Sequence, residues 1–170
     1  TYGGDFKGQY VINTPASPTA HRQQHTITVT DKEVLAVMGQ PGRAVQFTGQ
    51  AATSMGDTRL VCLDRVTGKE RWSRSARDFP DEGNVRSLSL GGSPLVVGDN
   101  VYVCGTGGKS AQFDDCYVFC LDRLTGNHKW SAYVCSATTG QVLWGGENGS
   151  TSDAVASVSY ASGRLYVLTN

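Results

Sequence analysis

The run Gly105-Thr106-Gly107-Gly108-Lys109-Ser110 ends in Gly-Lys-Ser, the residues with which a phosphate-binding loop wraps a nucleotide and helps to hold its magnesium ion. The spacing defeats that chemistry. A phosphate loop needs a Gly five positions before Gly108, where Val103 stands, and then a helix whose amides face the phosphate, whereas Ala111-Gln112-Phe113-Asp114-Asp115 leads into an apolar run. The segment reads as a hairpin insertion. His21 and His25, four apart in a Gln-rich stretch, read as a solvated approach to the first strand, and His128 as a surface residue. The carboxylates Asp78, Asp81 and Glu82, and the pair Asp114 and Asp115, lack the regular ligand spacing of a calcium loop and read as solvated loops. No Ser/His/Asp set or Gly-x-Ser-x-Gly elbow occurs, and Asn148-Gly149-Ser150 is a bare glycosylation triplet. No catalytic, cofactor-binding or metal-ligating residue is therefore assigned.

The chain has five cysteines, so internal pairing leaves at least one free. There is no Cys-x-x-Cys-His to anchor a haem. Cys116 and Cys120 share one face of a strand but stand about 13 Å apart, too far to share a metal. Cys104 ends one apolar run and Cys116 opens the next, so a disulfide across the base of the intervening loop is an expectation for the structure to test.

What positions these residues is a repeat. Cys62-Leu63-Asp64-Arg65-Val66-Thr67-Gly68-Lys69-Glu70-Arg71-Trp72 recurs as Cys120-Leu121-Asp122-Arg123-Leu124-Thr125-Gly126-Asn127-His128-Lys129-Trp130, 58 residues on. Self-similarity over such a period means one supersecondary unit, unable to bury its own apolar face, copied and stacked. Each copy opens with an apolar strand, Leu60 to Leu63 or Tyr117 to Leu121. In Asp-x-x-Thr-Gly the carboxylate folds back onto nearby amides, Thr adds its hydroxyl and Gly accepts a positive φ, which makes a hairpin loop. The return strands, Lys69 to Ser73 and Asn127 to Tyr133, each carry a Trp four residues after the Gly.

A degenerate third copy, Val134 to Trp144, keeps Thr139, Gly140 and Trp144 but has Ser136 in place of Asp. It follows too soon after Trp130 for a four-stranded unit and reads as an extra hairpin or an eroded repeat. Strand, turn, strand patterns also precede each marked hairpin: Thr26 to Val37, Ser93 to Val103 and Ala154 to Val167. Four strands per repeat follow.

Four-stranded antiparallel units repeated about an axis are propeller blades. Asp-x-x-Thr-Gly-x-x-x-Trp, with a small residue two before the Asp, resembles the tryptophan-docking motif of the pyrroloquinoline quinone (PQQ)-like β-propellers, which include quinoprotein alcohol dehydrogenases and a non-enzymatic outer-membrane assembly lipoprotein. Cys62 and Cys120 hold the small position. Gly92-Ser93-Pro94-Leu95-Val96-Val97 also resembles a blade-opening strand of that family. The resemblance implies that Trp72, Trp130 and Trp144 stack between blades and that Cys62 and Cys120 pack there.

The expected fold is all-β, a partial propeller of about three four-stranded blades. Residues 1–25 form an irregular lead-in or the end of a preceding blade, 26–74 the first blade, 75–92 a connecting loop, 93–134 the second blade, 135–150 the degenerate hairpin and 151–170 the start of a third blade. Propellers usually need 4 to 8 blades, so other propeller segments, in this chain or another, are expected to complete the ring.

Lys plus Arg and Asp plus Glu number 15 each, which leaves no electrostatic footprint for nucleic acid. No run of 18 apolar residues is present to span a membrane. Fold does not decide function. Expectation leans to a non-enzymatic protein-binding or assembly scaffold with no cofactor, and the resemblance implies an exported place, in the periplasm or at the cell surface. The alternative is part of a quinoprotein dehydrogenase with PQQ above calcium on the propeller axis; such enzymes carry a disulfide between adjacent cysteines, and no Cys-Cys dipeptide occurs here. A glycan-binding propeller is the third reading.

Overall fold

The computed structural model describes residues 27–40, 43–47, 50–54, 57–80, 85–110, 113–138 and 156–169. Blade 1 is an antiparallel sheet in the order β1 (Ile27–Val29), β2 (Glu33–Gln40), β5 (Asp57–Asp64), β6 (Glu70–Ser75). Blade 2 repeats it with β7 (Ser89–Val97), β8 (Asn100–Ser110), β9 (Phe113–Asp122) and β10 (His128–Thr138). A hairpin, β11 (Ala156–Ala161) and β12 (Arg164–Thr169), turns through Ser162 and Gly163, both at positive φ, and packs against β7 and β8.

Between β2 and β5 stands one more hairpin, β3 (Arg43–Phe47) with β4 (Gln50–Ser54), paired in its own two-stranded sheet. No sequence expectation covered it.

Alternation places the core. On β8, Val101 and Val103 face blade 1 while Tyr102 and Cys104 face the β11–β12 hairpin; on β9, Phe119 and Leu121 face blade 1 while Cys116, Val118 and Cys120 face the hairpin. Blade 2 is thus buried on both sides. That explains why its central strands read as unbroken apolar runs rather than as apolar and polar residues in alternation. The first core joins Leu35, Leu60, Cys62 and Trp72 of blade 1 to Leu90, Phe119 and Leu121 of blade 2, with Ala76, Phe79 and Val85 from the connecting segment.

Three expected boundaries shift. The connecting loop of 75–92 carries two short 3-10 turns, Ala76–Asp78 and Val85–Ser87, and gives up Ser75 to β6 and its last four residues to β7. The supposed insertion after Cys104 is ladder: β8 continues to Ser110, and Thr106 and Gly107 pair with Cys116 and Asp115. The second blade does not stop at 134, because Cys135 to Thr138 continue β10 opposite Cys116 to Phe113. The start of the degenerate repeat is therefore the end of the return strand; Thr139, Gly140 and Trp144 lie outside the described residues. The lead-in of 1–25, His21, His25, Asp81, Glu82 and the sequon lie outside them too.

Gly105 sits where β8 crosses Phe119, and a Cβ there would lie 2.6 Å from that buried ring. In a close-packed interior the ring has nowhere to go. Gly105→Ala is expected to cost about 1–3 kcal/mol of overpacking, measured as a lower urea midpoint at unchanged slope in the full-length protein.

Candidate functional site: the junction between blades

Each Asp-x-x-Thr-Gly loop is held by one carboxylate oxygen. Asp64 Oδ1 accepts hydrogen bonds from the amides of Val66 (3.1 Å) and Thr67 (2.9 Å) and from the Thr67 hydroxyl (2.9 Å). Asp122 Oδ1 does the same with Leu124 (3.1 Å), Thr125 (3.0 Å) and the Thr125 hydroxyl (3.0 Å). The loop closes when the amide of Gly68 donates to Asp64 O and that of Gly126 to Asp122 O, each at 2.8 Å. Both glycines have φ of +68°. These bonds, the Thr67 and Thr125 amides foremost, hold both aspartates below the usual carboxylate range.

Gly126 is needed for a second reason. The Trp72 indole lies on it so closely that a Cβ would stand 2.6 Å from the ring, and Trp72 Nε1 donates to Arg123 O at 2.9 Å. Arg74 adds bonds to Thr125 O and Asn127 Oδ1, so the return strand of blade 1 grips the loop of blade 2. Thr28 Oγ1 and Pro94 O join the blades at the other side of blade 1, between β1 and β7. Trp72 is 5% exposed as a result. Trp130, its counterpart one repeat on, lies tilted against Tyr102 at 5.9 Å between centroids and remains 40% exposed among the described residues.

Beside this contact lies a residue that the sequence did not single out. Glu33, 1% exposed, receives Arg123 Nη2 from blade 2 at 2.6 Å and Arg71 Nη1 at 3.0 Å, while the Thr30 hydroxyl donates to it at 2.6 Å. Arg71 also reaches Asp64 at 2.7 Å, and Arg123 reaches Asp31 at 3.4 Å. Burial is the largest single influence on Glu33 and raises its pKa; Thr30, Arg123 and Arg71 together outweigh it, so the carboxyl sits below its ordinary value. The signal available in the sequence was the register: Glu33 opens the strand before the marked hairpin, and Asn100 opens the equivalent strand of blade 2. There Lys129 takes the place of Arg71, bonding Asn100 at 2.8 Å and pairing with Asp122 at 3.2 Å. A carboxylate at a turn reads as solvent-facing unless the neighbouring blade is known.

The sequence-predicted residues divide cleanly. Cys62, Trp72 and Gly126 meet at the junction, Asp64 and Asp122 anchor their own loops, and Cys120 faces the β11–β12 hairpin. The Cys104–Cys116 disulfide is not formed: both thiols are free, and Cys104 lies opposite Val118 while Cys116 lies opposite Thr106. Diagonal neighbours on adjacent strands stand about 7–8 Å apart at Cα, beyond the usual disulfide span. Burial foremost pushes the thiols up, to about 11 for Cys62 and Cys116 and about 12 for Cys104, so none of these is a thiolate nucleophile near neutral pH. His128 is half-buried against Phe79, with ring centroids 5.1 Å apart, rather than on the surface as expected. Asp78 caps a 3-10 turn by accepting from the Ser75 amide, and Asp115 lies in β9 and accepts from Ser136. No three His, Cys, Asp or Glu side chains converge as a metal would need, among the described residues.

Four-stranded meanders joined face to face, with Trp72 of one seated on the Gly126 turn of the next, define a segment of a PQQ-like β-propeller. The chain belongs to the family described as outer membrane protein assembly factor BamB, whose pattern matches residues 13–168. It is also similar to the lanthanide-dependent methanol dehydrogenase of Methylacidiphilum fumariolicum (strain SolV), at 29% identity over 126 residues, covering 73% of this chain and 20% of that protein. With the quinohemoprotein alcohol dehydrogenase of Comamonas testosteroni it shares 32% identity over 85 residues, 49% of this chain and 11% of that one. Among solved structures, a europium-containing methanol dehydrogenase aligns at TM-score 0.41 and 22% identity, over 64% of this chain and 15% of that chain. Quinohemoprotein alcohol dehydrogenase ADHIIG from Pseudomonas putida HK5 aligns at TM-score 0.41 and 24% identity, over 63% and 12%. The chain spans a fifth or less of the length of these curated relatives.

Two outcomes follow for the full-length protein. Gly126→Ala forces a left-handed backbone on a side chain and drives a methyl into Trp72, and it is expected to cost about 2–4 kcal/mol, read from urea unfolding by tryptophan fluorescence. Glu33 has a lowered folded pKa, so its contribution is complete above its ordinary value of 4.5 and fades as pH falls through the lower folded value. Glu33→Gln should therefore lose about 2–3 kcal/mol at neutral pH and show a flatter loss of stability than the parent below pH 4.5. Parallel acid-unfolding curves for the two proteins would refute the assignment.

Proposed function

We propose that this chain is a ring segment of a PQQ-like propeller that acts by binding, as a scaffold on which another protein is docked or assembled. The observation that carries this reading is the match to an assembly-factor family across residues 13–168. The geometry supports it: the marked residues Asp64, Trp72, Asp122 and Gly126, with Glu33 and Arg123, are committed to building and joining blades. Their job is to hold a rigid ring while loops make the contacts. The ring is completed by further propeller segments, and an exported, periplasmic or cell-surface place accords with such a role. No helix among the described residues is long and apolar enough to cross a membrane.

The second reading is a piece of a quinoprotein alcohol dehydrogenase, favoured by the identities of 29% and 32% to two such enzymes. PQQ would supply two-electron oxidation of an alcohol there. The described residues bring no three candidate ligands together, so they do not by themselves fit the calcium seat that this reading requires.

One preparation separates the two. Full-length protein is purified, scanned for quinone absorbance, incubated with PQQ plus calcium or a lanthanide, and assayed for dye reduction with methanol and ethanol. Binding without chemistry predicts no quinone, no dye reduction and a stoichiometric protein partner in cross-linked cell-envelope extracts. Alcohol-dependent dye reduction would overturn the scaffold reading in favour of the second.

A further inference from the structure

Four thiols gather on the face of blade 2 that packs against the β11–β12 hairpin: Cys104, Cys116, Cys120 and Cys135. Their spatial relation is decided by a bulge. In the β9–β10 ladder Tyr133 pairs with Tyr117, and the next pair is Cys135 with Cys116, so β10 carries one extra residue, Val134. Without it Val134 would face Cys116, and Cys135 would stand opposite Asp115 on the other side of the sheet. A bulge that re-aims a side chain in this way is a built feature of a strand rather than a defect. The register just beyond is held by polar bonds: Ser136 donates to Asp115 Oδ1 at 2.6 Å and lies 2.7 Å from the Tyr133 hydroxyl.

We infer that Cys116 and Cys135 form a cross-strand disulfide site, and that it replaces the Cys104–Cys116 pairing suggested by the sequence. Residues directly opposite on antiparallel strands have Cα atoms about 4.5–5.5 Å apart, inside the disulfide span, whereas a diagonal pair lies outside it. Exposure is also divided as the exchange requires. Cys116 is buried and Cys135 half-exposed, so Cys135 is the sulfur that an external disulfide can reach. Burial first, and Cys135 second, push the Cys116 thiol up, so Cys116 does not open the exchange and attacks only once the mixed disulfide stands beside it on Cys135.

The oxidant is a low-molecular-weight disulfide such as oxidised glutathione. Cys135, as thiolate, attacks one of its sulfurs, forms a mixed disulfide and releases one glutathione thiolate. Cys116 then gives its proton to solvent and displaces the second glutathione, and the Cys116–Cys135 bond forms. Two protein thiols are oxidised, one glutathione disulfide is reduced to two thiols, and two protons leave the protein. The product staples the far end of β10 to β9 and closes the sheet over Val118 and Val158.

The test uses the folded full-length protein, treated with oxidised glutathione, alkylated, and digested with trypsin and chymotrypsin so that cleavage after Tyr117 separates Cys116 from Cys120. Loss of two hydrogens and a cross-linked peptide pair carrying Cys116 and Cys135 is expected. Cys104→Ser should keep the link and Cys135→Ser abolish it. A bond involving Cys104, a glutathione adduct that stays on Cys135, or free thiols at both positions would each overturn the inference. Because the peptide map is made on the parent protein, it decides the question even if a variant fails to fold.

Discussion

The contact on which the rest of the junction depends is the Trp72 indole on the Gly126 turn. A blade alone is a small sheet with two apolar faces, and such a sheet has no stable core of its own. Trp72 supplies a large rigid surface and a hydrogen-bond donor, and the turn of blade 2 offers a flat backbone without a Cβ and the carbonyl of Arg123. Once ring and turn meet, the flanking groups have fixed positions. Cys62 lies in the same core as the ring, Arg74 reaches the loop carbonyl of Thr125, and the Arg123 side chain is carried across to Glu33. An error of one residue in the hairpin of blade 2 would remove all of these together.

Glu33 shows how a buried charge is tolerated at such a place. Taking a carboxylate out of water is costly, and one partner would seldom offset it. Here two guanidiniums and a hydroxyl converge on it, one guanidinium from each blade. The network therefore discriminates as well as stabilises. A blade lacking an arginine at the position of Arg123 would leave the buried Glu33 with one guanidinium and a hydroxyl, a state that costs more than a missing apolar contact.

Much of this was legible in the sequence, and the limit is physical. The 58-residue recurrence gave strands, hairpins and the Asp-x-x-Thr-Gly loops, because those are local bonds between residues at most a few positions apart, such as Asp122 with Thr125. What escaped depends on neighbours distant in sequence. Glu33 resembles any solvated turn residue until Arg123, 90 positions away, is seen beside it. The length of β10 was hidden because Val134-Cys135-Ser136 imitates the opening of a new repeat, and only its pairing with β9 shows that it continues the old one. The Gly-rich run after Cys104 looked like a loop since glycine disfavours strands, yet Gly105 lies there because Phe119 leaves no room for a side chain.

The contact between Trp72 and Gly126 has a consequence for how such a chain can grow. Plug and socket belong to the same stretch of repeat sequence but engage different neighbours, the plug reaching forward and the socket backward. An in-frame duplication of one whole period therefore delivers one new plug and one new socket wherever its ends happen to fall, and the copy can be inserted without inventing a surface. Lineages of such proteins can change the number of blades by copying alone, and what selection must preserve is the seam rather than the unit.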